Sequence, residues 1–183
     1  MELYSEDILL SLLLTDDTRE LGFKALVSKY SETLYWHVRR IVLVHEDAND
    51  VVQEVFIKAW QNLHSFRGDS KIITWLYRIA TNESLSHLRK NKSKYTVDID
   101  NPDLGIEQLL TSDDYFDGDE AVIKLQKAIL TLPERQRLVF LMRYYDDLKY
   151  KEIAKILDLT EGSLKATYHH ALQKIEEYLR NFD

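Results

Sequence analysis

FRGDSKIITWLYRIATNESLSHLRKNKSK, residues 66–94, is the stretch around which the rest of the chain is organised. Arg67-Gly68-Asp69-Ser70 is a turn in which Asp69 or Ser70 can cap the next element. Ile72, Trp75, Leu76, Ile79, Ala80 and Leu88 then recur at the spacing of an amphipathic helix reaching Lys90. Tyr77, Arg78, Thr81, Asn82, Ser84, Ser86 and Arg89 fall on the other side. Aromatic planes for stacking, an amide to read a base edge and cations along a backbone are what a single-stranded nucleic acid asks of a surface. Trp75 lies on the apolar stripe, where core packing is its plainer role.

Charge follows the same division. Taken whole, the net charge of −7 opposes a nucleic-acid role, but it is unevenly spread. Residues 98–120 hold 9 acidic and 0 basic side chains, which exceeds the whole deficit, whereas residues 1–97 balance at 13 of each. Within that first part, residues 1–63 carry 6 basic against 11 acidic side chains and residues 64–97 carry 7 against 2. An acidic surface therefore precedes a basic one.

Working outward, the five Gly and two Pro are few and lie mostly between long periodic segments, which favours helices joined by short turns. No cysteine is present, so disulfides, thiolate metal sites and cysteine catalysis are excluded together; a reducing, cytoplasmic setting fits. The apolar run Ile8 to Leu14 is far shorter than the ~20 residues of a membrane span and is acidic at its edges, so no membrane insertion is expected. Ser5 with Glu6 and Asp7 caps that short helix. A long helix follows, with Phe23 to Val42 as core. Asp47 can cap a third, whose stripe is Ala48, Val51, Val52, Val55, Phe56, Ala59, Trp60 and Leu63. Its other face shows Asn49, Asp50, Gln53, Glu54, Lys58 and Gln61. That face is either simply solvated or a polar docking surface on which Asp50, Gln53 and Glu54 meet basic groups.

Periodicity fails from Tyr95 to Glu120, a linker by composition in which leucines and aromatics punctuate the acids. Beyond it, Val122 to Leu132 form a helix ended by Pro133, which can occupy the first position of the next helix, running to Tyr145. A short helix from Lys149 to Leu157, a turn at Asp158-Leu159 and a final helix capped by Thr160 make a helix-turn-helix, with Ile153, Ala154, Leu159 and Leu164 expected inside. Ser163, Lys165, Ala166, Thr167 and His170 are its base-facing candidates, and Arg143, Tyr150, Lys151 and Lys174 its phosphate-facing ones.

Taken together, HEDANDVVQEVFIKAWQNLHSFRGDSKIITWLYRIATNESLSHLRK, residues 45–90, and LTLPERQRLVFLMRYYDDLKYKEIAKILDLTEGSLKATYHHALQKI, residues 130–175, resemble the extracytoplasmic-function branch of bacterial RNA polymerase sigma factors. The resemblance implies an all-α fold of two small domains, residues 1–95 and 120–183, joined by the acidic linker 96–119. It implies that Asp47, Asp50, Val51, Gln53 and Glu54 contact core RNA polymerase. It further implies that Phe66, Arg67, Gly68, Asp69, Ser70, Tyr77, Arg78, Asn82, Arg89 and Lys90 capture the minus-ten strand of promoter DNA, and that the helix at 163–174 reads the minus-thirty-five element. An anti-sigma factor is an implied partner; no cofactor, metal or small-molecule substrate is. Ile72-Ile73 stand where the family often has Phe-Lys, and Thr81, Thr167, His170 and Leu172 stand where basic residues are common. Fewer cations release fewer counterions, so the free chain is expected to bind DNA weakly.

A stand-alone helix-turn-helix regulator, with residues 1–95 as a sensing or dimerising module, is the rival reading. It requires an effector pocket or a self-complementary surface, and the sequence signals neither. Catalysis is not expected: His45-Glu46-Asp47 and His169-His170 stand without a phosphate loop, a nucleophile elbow or an HExxH pattern.

Overall fold

The structure is a computed structural model that describes residues 4–66, 68–91 and 120–181. Arg67, the lysines beyond Asn91 and the acidic linker lie outside the described residues. Among the described residues there are eight α-helices and no strand: α1 Glu6–Leu14, α2 Arg19–Val42, α3 His45–Asn62, α4 Ile72–Lys90, α5 Glu120–Leu130, α6 Glu134–Tyr144, α7 Tyr150–Leu157 and α8 Glu161–Arg180. They form two compact units, the first built on α1–α4 and the second on α5–α8.

In the first unit, Ser5 caps α1 by accepting from the Ile8 N–H at 3.4 Å, and α1 packs along the start of α2. The approach is close enough to dictate a residue: a Cβ on Gly22 would lie 2.8 Å from the Leu13 nitrogen and 2.9 Å from the Leu12 carbonyl carbon, and backbone cannot yield there. The core joins Leu26, Leu34 and Val38 of α2 to Val51, Val55 and Ala59 of α3 and to Ile72, Leu76 and Ala80 of α4. Each fully buried leucine or isoleucine contributes about 1.5–3 kcal/mol. At one edge, Phe23 meets Trp60 edge-on at 5.0 Å and Phe56 at 6.4 Å. Trp60, expected inside, remains 42% exposed because its ring covers Phe23 from the solvent side.

α4 departs most from its expected orientation. Tyr77, Thr81 and Ser84 face the core and not solvent, together with Thr74. The helix can bury the Thr81 and Ser84 hydroxyls because each bonds the preceding turn: Thr81 Oγ1 donates to the Tyr77 carbonyl at 2.8 Å and Ser84 Oγ to the Ala80 carbonyl at 2.8 Å. His37 of α2 completes the arrangement, with Nε2 3.0 Å from Thr81 Oγ1 and its ring edge-on to Tyr77.

In the second unit α5, α6 and α7 all pack on α8. Pro133 sits one position earlier than expected, as the N-cap of α6. The Lys149 N–H donates to the Glu152 carboxylate at 2.9 Å to open α7, and Asp158 closes it in the left-handed region at φ 56°. Thr160 then caps α8, its hydroxyl accepting from the Ser163 N–H at 3.2 Å. Ile153 and Leu164 are buried as expected; Ala154 and Leu159 are only half-buried. The core is completed by Ile129, Val139, Phe140, Met142, Ala171 and Ile175.

Candidate nucleic-acid interface

Three surfaces carry the residues singled out from the sequence. On α3, Asp50, Gln53 and Glu54 are exposed along one stripe. Ile57, one turn further along and 50% exposed, belongs to the same stripe and is not among the sequence candidates. Two candidates leave it. Val51 is buried against the core, and Asp47 is only 6% exposed, with its carboxylate 3.5 Å from His87 Nε2 on α4. Asp47 is therefore not the cap of α3, which begins two residues earlier at His45. The stripe is tied to α4 by Lys58, whose ammonium lies 2.6 Å from Glu83 and 3.9 Å from Glu54.

The second surface is the loop before α4 together with the outer side of that helix. Gly68 turns the chain with φ +74°, a conformation L side chains rarely adopt. Phe66 folds back and is only 9% exposed, its ring 5.4 Å from that of Trp75, so it serves as the loop's anchor. Asp69 is exposed and Ser70 half-buried. Lys71, just before α4, and Arg78, Asn82, Arg89 and Lys90 along it are exposed, with Trp75 half-buried on the same side. Tyr77, at 3% exposure, is not on that side: it closes over His37, as described above. Lys71 and Trp75 extend the stripe beyond what the polar pattern alone selects, because an aromatic on an apolar periodicity reads as core.

The third surface is α8 and its surroundings. Lys165, Ala166, His170 and Lys174 are exposed, and so is His169, whose ring lies 6.0 Å from that of His170. Thr167 is half-buried and donates its hydroxyl to the Ser163 carbonyl at 2.7 Å. Ser163 belongs to the capping turn, its hydroxyl 3.0 Å from the Thr160 carbonyl and 3.4 Å from the Arg135 guanidinium. Lys151 is exposed on α7, whereas Tyr150 is half-buried between the Lys165 ammonium at 6.0 Å and the Arg143 guanidinium at 5.8 Å. Arg143 closes the α6–α7 loop, donating to Asp147 at 2.9 Å and to the Leu148 carbonyl at 3.4 Å. Beneath Tyr150 runs a ladder of rings through Tyr168, Phe140 and Tyr144. Burial, with Tyr150 adding to it and Arg143 opposing, pushes the Tyr168 hydroxyl above its ordinary value, so it stays a neutral donor at physiological pH.

Among the described residues no three His, Asp or Glu side chains converge as a metal site, and no helix is long and apolar enough to cross a membrane. Known proteins resemble this chain in sequence and in fold. Residues 26–94 match the family described as Sigma-70 region 2, and residues 123–175 match Sigma-70, region 4. The ECF RNA polymerase sigma factor SigW of Bacillus subtilis is 34% identical over 170 residues, which cover 87% of this chain and 90% of that protein. The ECF RNA polymerase sigma-E factor of Escherichia coli is 34% identical over 163 residues, 85% of each. In fold, CnrH, solved in complex with the cytosolic domain of CnrY, superposes with a TM-score of 0.72 at 20% identity, over 97% of this chain and 99% of that one. The sigma factor RpoE of Bartonella quintana, solved with the anti-sigma factor NepR, gives 0.65 at 22% identity, over 86% and 96%. Both sigma regions occur in order and the relatives match across most of the chain, so the protein belongs to the extracytoplasmic-function family of RNA polymerase sigma factors, which direct promoter-specific initiation of transcription.

Proposed function

We propose that the stripe of Asp50, Gln53, Glu54 and Ile57 on α3 docks on core RNA polymerase, that the loop 66–70 with Lys71, Trp75, Arg78, Asn82, Arg89 and Lys90 takes the displaced strand of the minus-ten element, and that Lys165, Ala166, His169, His170 and Lys174 of α8 read the minus-thirty-five element, with Lys151 on a phosphate. Residues 1–95, 96–119 and 120–183 then serve as the docking and melting domain, the acidic linker and the upstream reader. The observation that carries this is the segregation of exposed chemistry on neighbouring helices of one unit: α3 presents carboxylates and an amide beside one exposed isoleucine, and α4 presents cations, an amide and a half-buried tryptophan. The first matches a basic protein surface and the second a single strand.

The protein works in the cytoplasm, where its polymerase is, and performs no covalent chemistry of its own. An anti-sigma factor is its proposed regulator, supported by the partner-bound state of the structural relative from Bartonella quintana. Run-off transcription with core polymerase and a library of random upstream sequence tests the whole reading. Transcripts should start a fixed distance below a two-part consensus. A chain that instead binds DNA as a dimer and gives no initiation above core alone would be the stand-alone regulator.

A further inference from the structure

The first amide groups of a helix have no partner within it, and a helix that must present a loop accurately needs them held. In α4 the Thr74 and Trp75 N–H groups reach back to the Lys71 carbonyl at 3.0 and 3.3 Å. The Ile72 N–H does not use a local cap. It donates to Glu6 Oε1 at 3.1 Å, a carboxylate from the first turn of α1. The helix that carries Glu6 is held from several sides. Ser5 caps its helix, the Lys29 ammonium donates to the Tyr4 carbonyl at 2.7 Å just upstream, and the tight contact at Gly22 locks α1 to α2. Tyr30 of α2 lies close enough that the Glu6 charge, after burial, helps raise its hydroxyl above the ordinary range.

The turn at Gly68 is thus held on either side. Phe66 seats on Trp75 at one, and the Ile72 amide seats on Glu6 at the other. Between them Gly68 makes the turn. We infer that Glu6 is a positioning residue for strand capture: through Ile72 it sets the loop that receives the minus-ten base, so the N-terminal helix contributes to promoter opening without touching DNA. This rests on the minus-ten role proposed above for the loop.

The test uses the full chain assembled with core polymerase, on a promoter chosen from the library and on the same promoter carrying a pre-melted, mismatched minus-ten region. The variants are Glu6→Ala, Glu6→Gln, and Asn82→Ala as a reference within the strand-capturing surface. Loss of a charge-assisted hydrogen bond predicts that Glu6→Ala lowers initiation from the duplex promoter about tenfold. On the pre-melted template it should initiate near the wild-type level, with core binding and cooperative thermal unfolding retained. Glu6→Gln keeps an acceptor for the Ile72 amide and should recover most of the duplex activity. A 2-aminopurine at the melted position should show the same order, wild type above Glu6→Gln above Glu6→Ala. Wild-type initiation by Glu6→Ala on the duplex overturns the inference, and so does an equal loss on both templates, which would mark Glu6 as a stability residue only. If Asn82→Ala also leaves the duplex reaction untouched, the minus-ten assignment itself falls, and the role of Glu6 falls with it.

Discussion

Asp47 and Asp50 occupy the same turn of α3, yet one carboxylate is turned inward to His87 and the other is exposed. A motif that lists both as acidic conceals two jobs. Replacing Asp47 by Asn keeps the shape, removes the charge facing His87 and should lower unfolding stability by about 1–3 kcal/mol in urea denaturation. Core polymerase binding by that variant should stay at the wild-type level, since the side chain is not on the stripe. A binding defect without a stability change would return Asp47 to the docking face. Glu6 and Ile57 make the converse point. Neither is marked by its immediate sequence: Glu6 reads as a first-turn acid of its own helix, and Ile57 as one more apolar residue.

The helices themselves were legible, because three-to-four periodicity, the caps Ser5 and Thr160 and the break at Pro133 are local signals. Their rotation was less so where hydroxyl groups intervene. Polarity puts Tyr77, Thr81 and Ser84 outside, but a threonine or serine that donates to the carbonyl one turn back is already satisfied and can enter a core, and His37 supplies a polar ceiling for it. The same reason removes Thr81 from the set of missing surface cations: it is a core residue, whereas Arg78 and Asn82 remain outside. Trp60 and Trp75 err in the other direction, since each covers a neighbouring aromatic while keeping part of its ring in solvent. At the turn between α7 and α8, Asp158 holds a left-handed conformation that glycine adopts without strain. Asp158→Gly should therefore raise the stability of the C-terminal unit by about 0.5–1 kcal/mol, after allowing for glycine's larger unfolded-state entropy. A lower denaturation midpoint would mean that the Asp158 side chain stabilises the turn.

Across the whole chain, the acidic excess of residues 98–120 offsets the cations of α4 and α8 and leaves a net charge of −7. On α8 the exposed cations are Lys165, Lys174 and, in the last turn beside Glu176, Arg180; two histidines accompany the first two, and Arg143 is engaged by Asp147. Few phosphates can then be neutralised, so the free chain should bind promoter duplex no tighter than ~1 µM at physiological salt, read by fluorescence anisotropy. Nanomolar binding by the free chain would show that the DNA surfaces act without polymerase. Sequence pattern reached the two-part organisation and the helices α4 and α8, because each is a long local signal; contacts between α1 and α4, or between α3 and His87, join residues too far apart in sequence for a pattern to link them. The most direct test of docking is binding of core RNA polymerase to fluorescently labelled wild type and to the double variant Asp50→Lys, Glu54→Lys. Charge reversal on the exposed stripe should weaken binding at least tenfold, on the order of 1.4 kcal/mol or more, while the helical circular dichroism and unfolding midpoint stay unchanged. Equal binding by the two proteins would contradict docking through this face of α3.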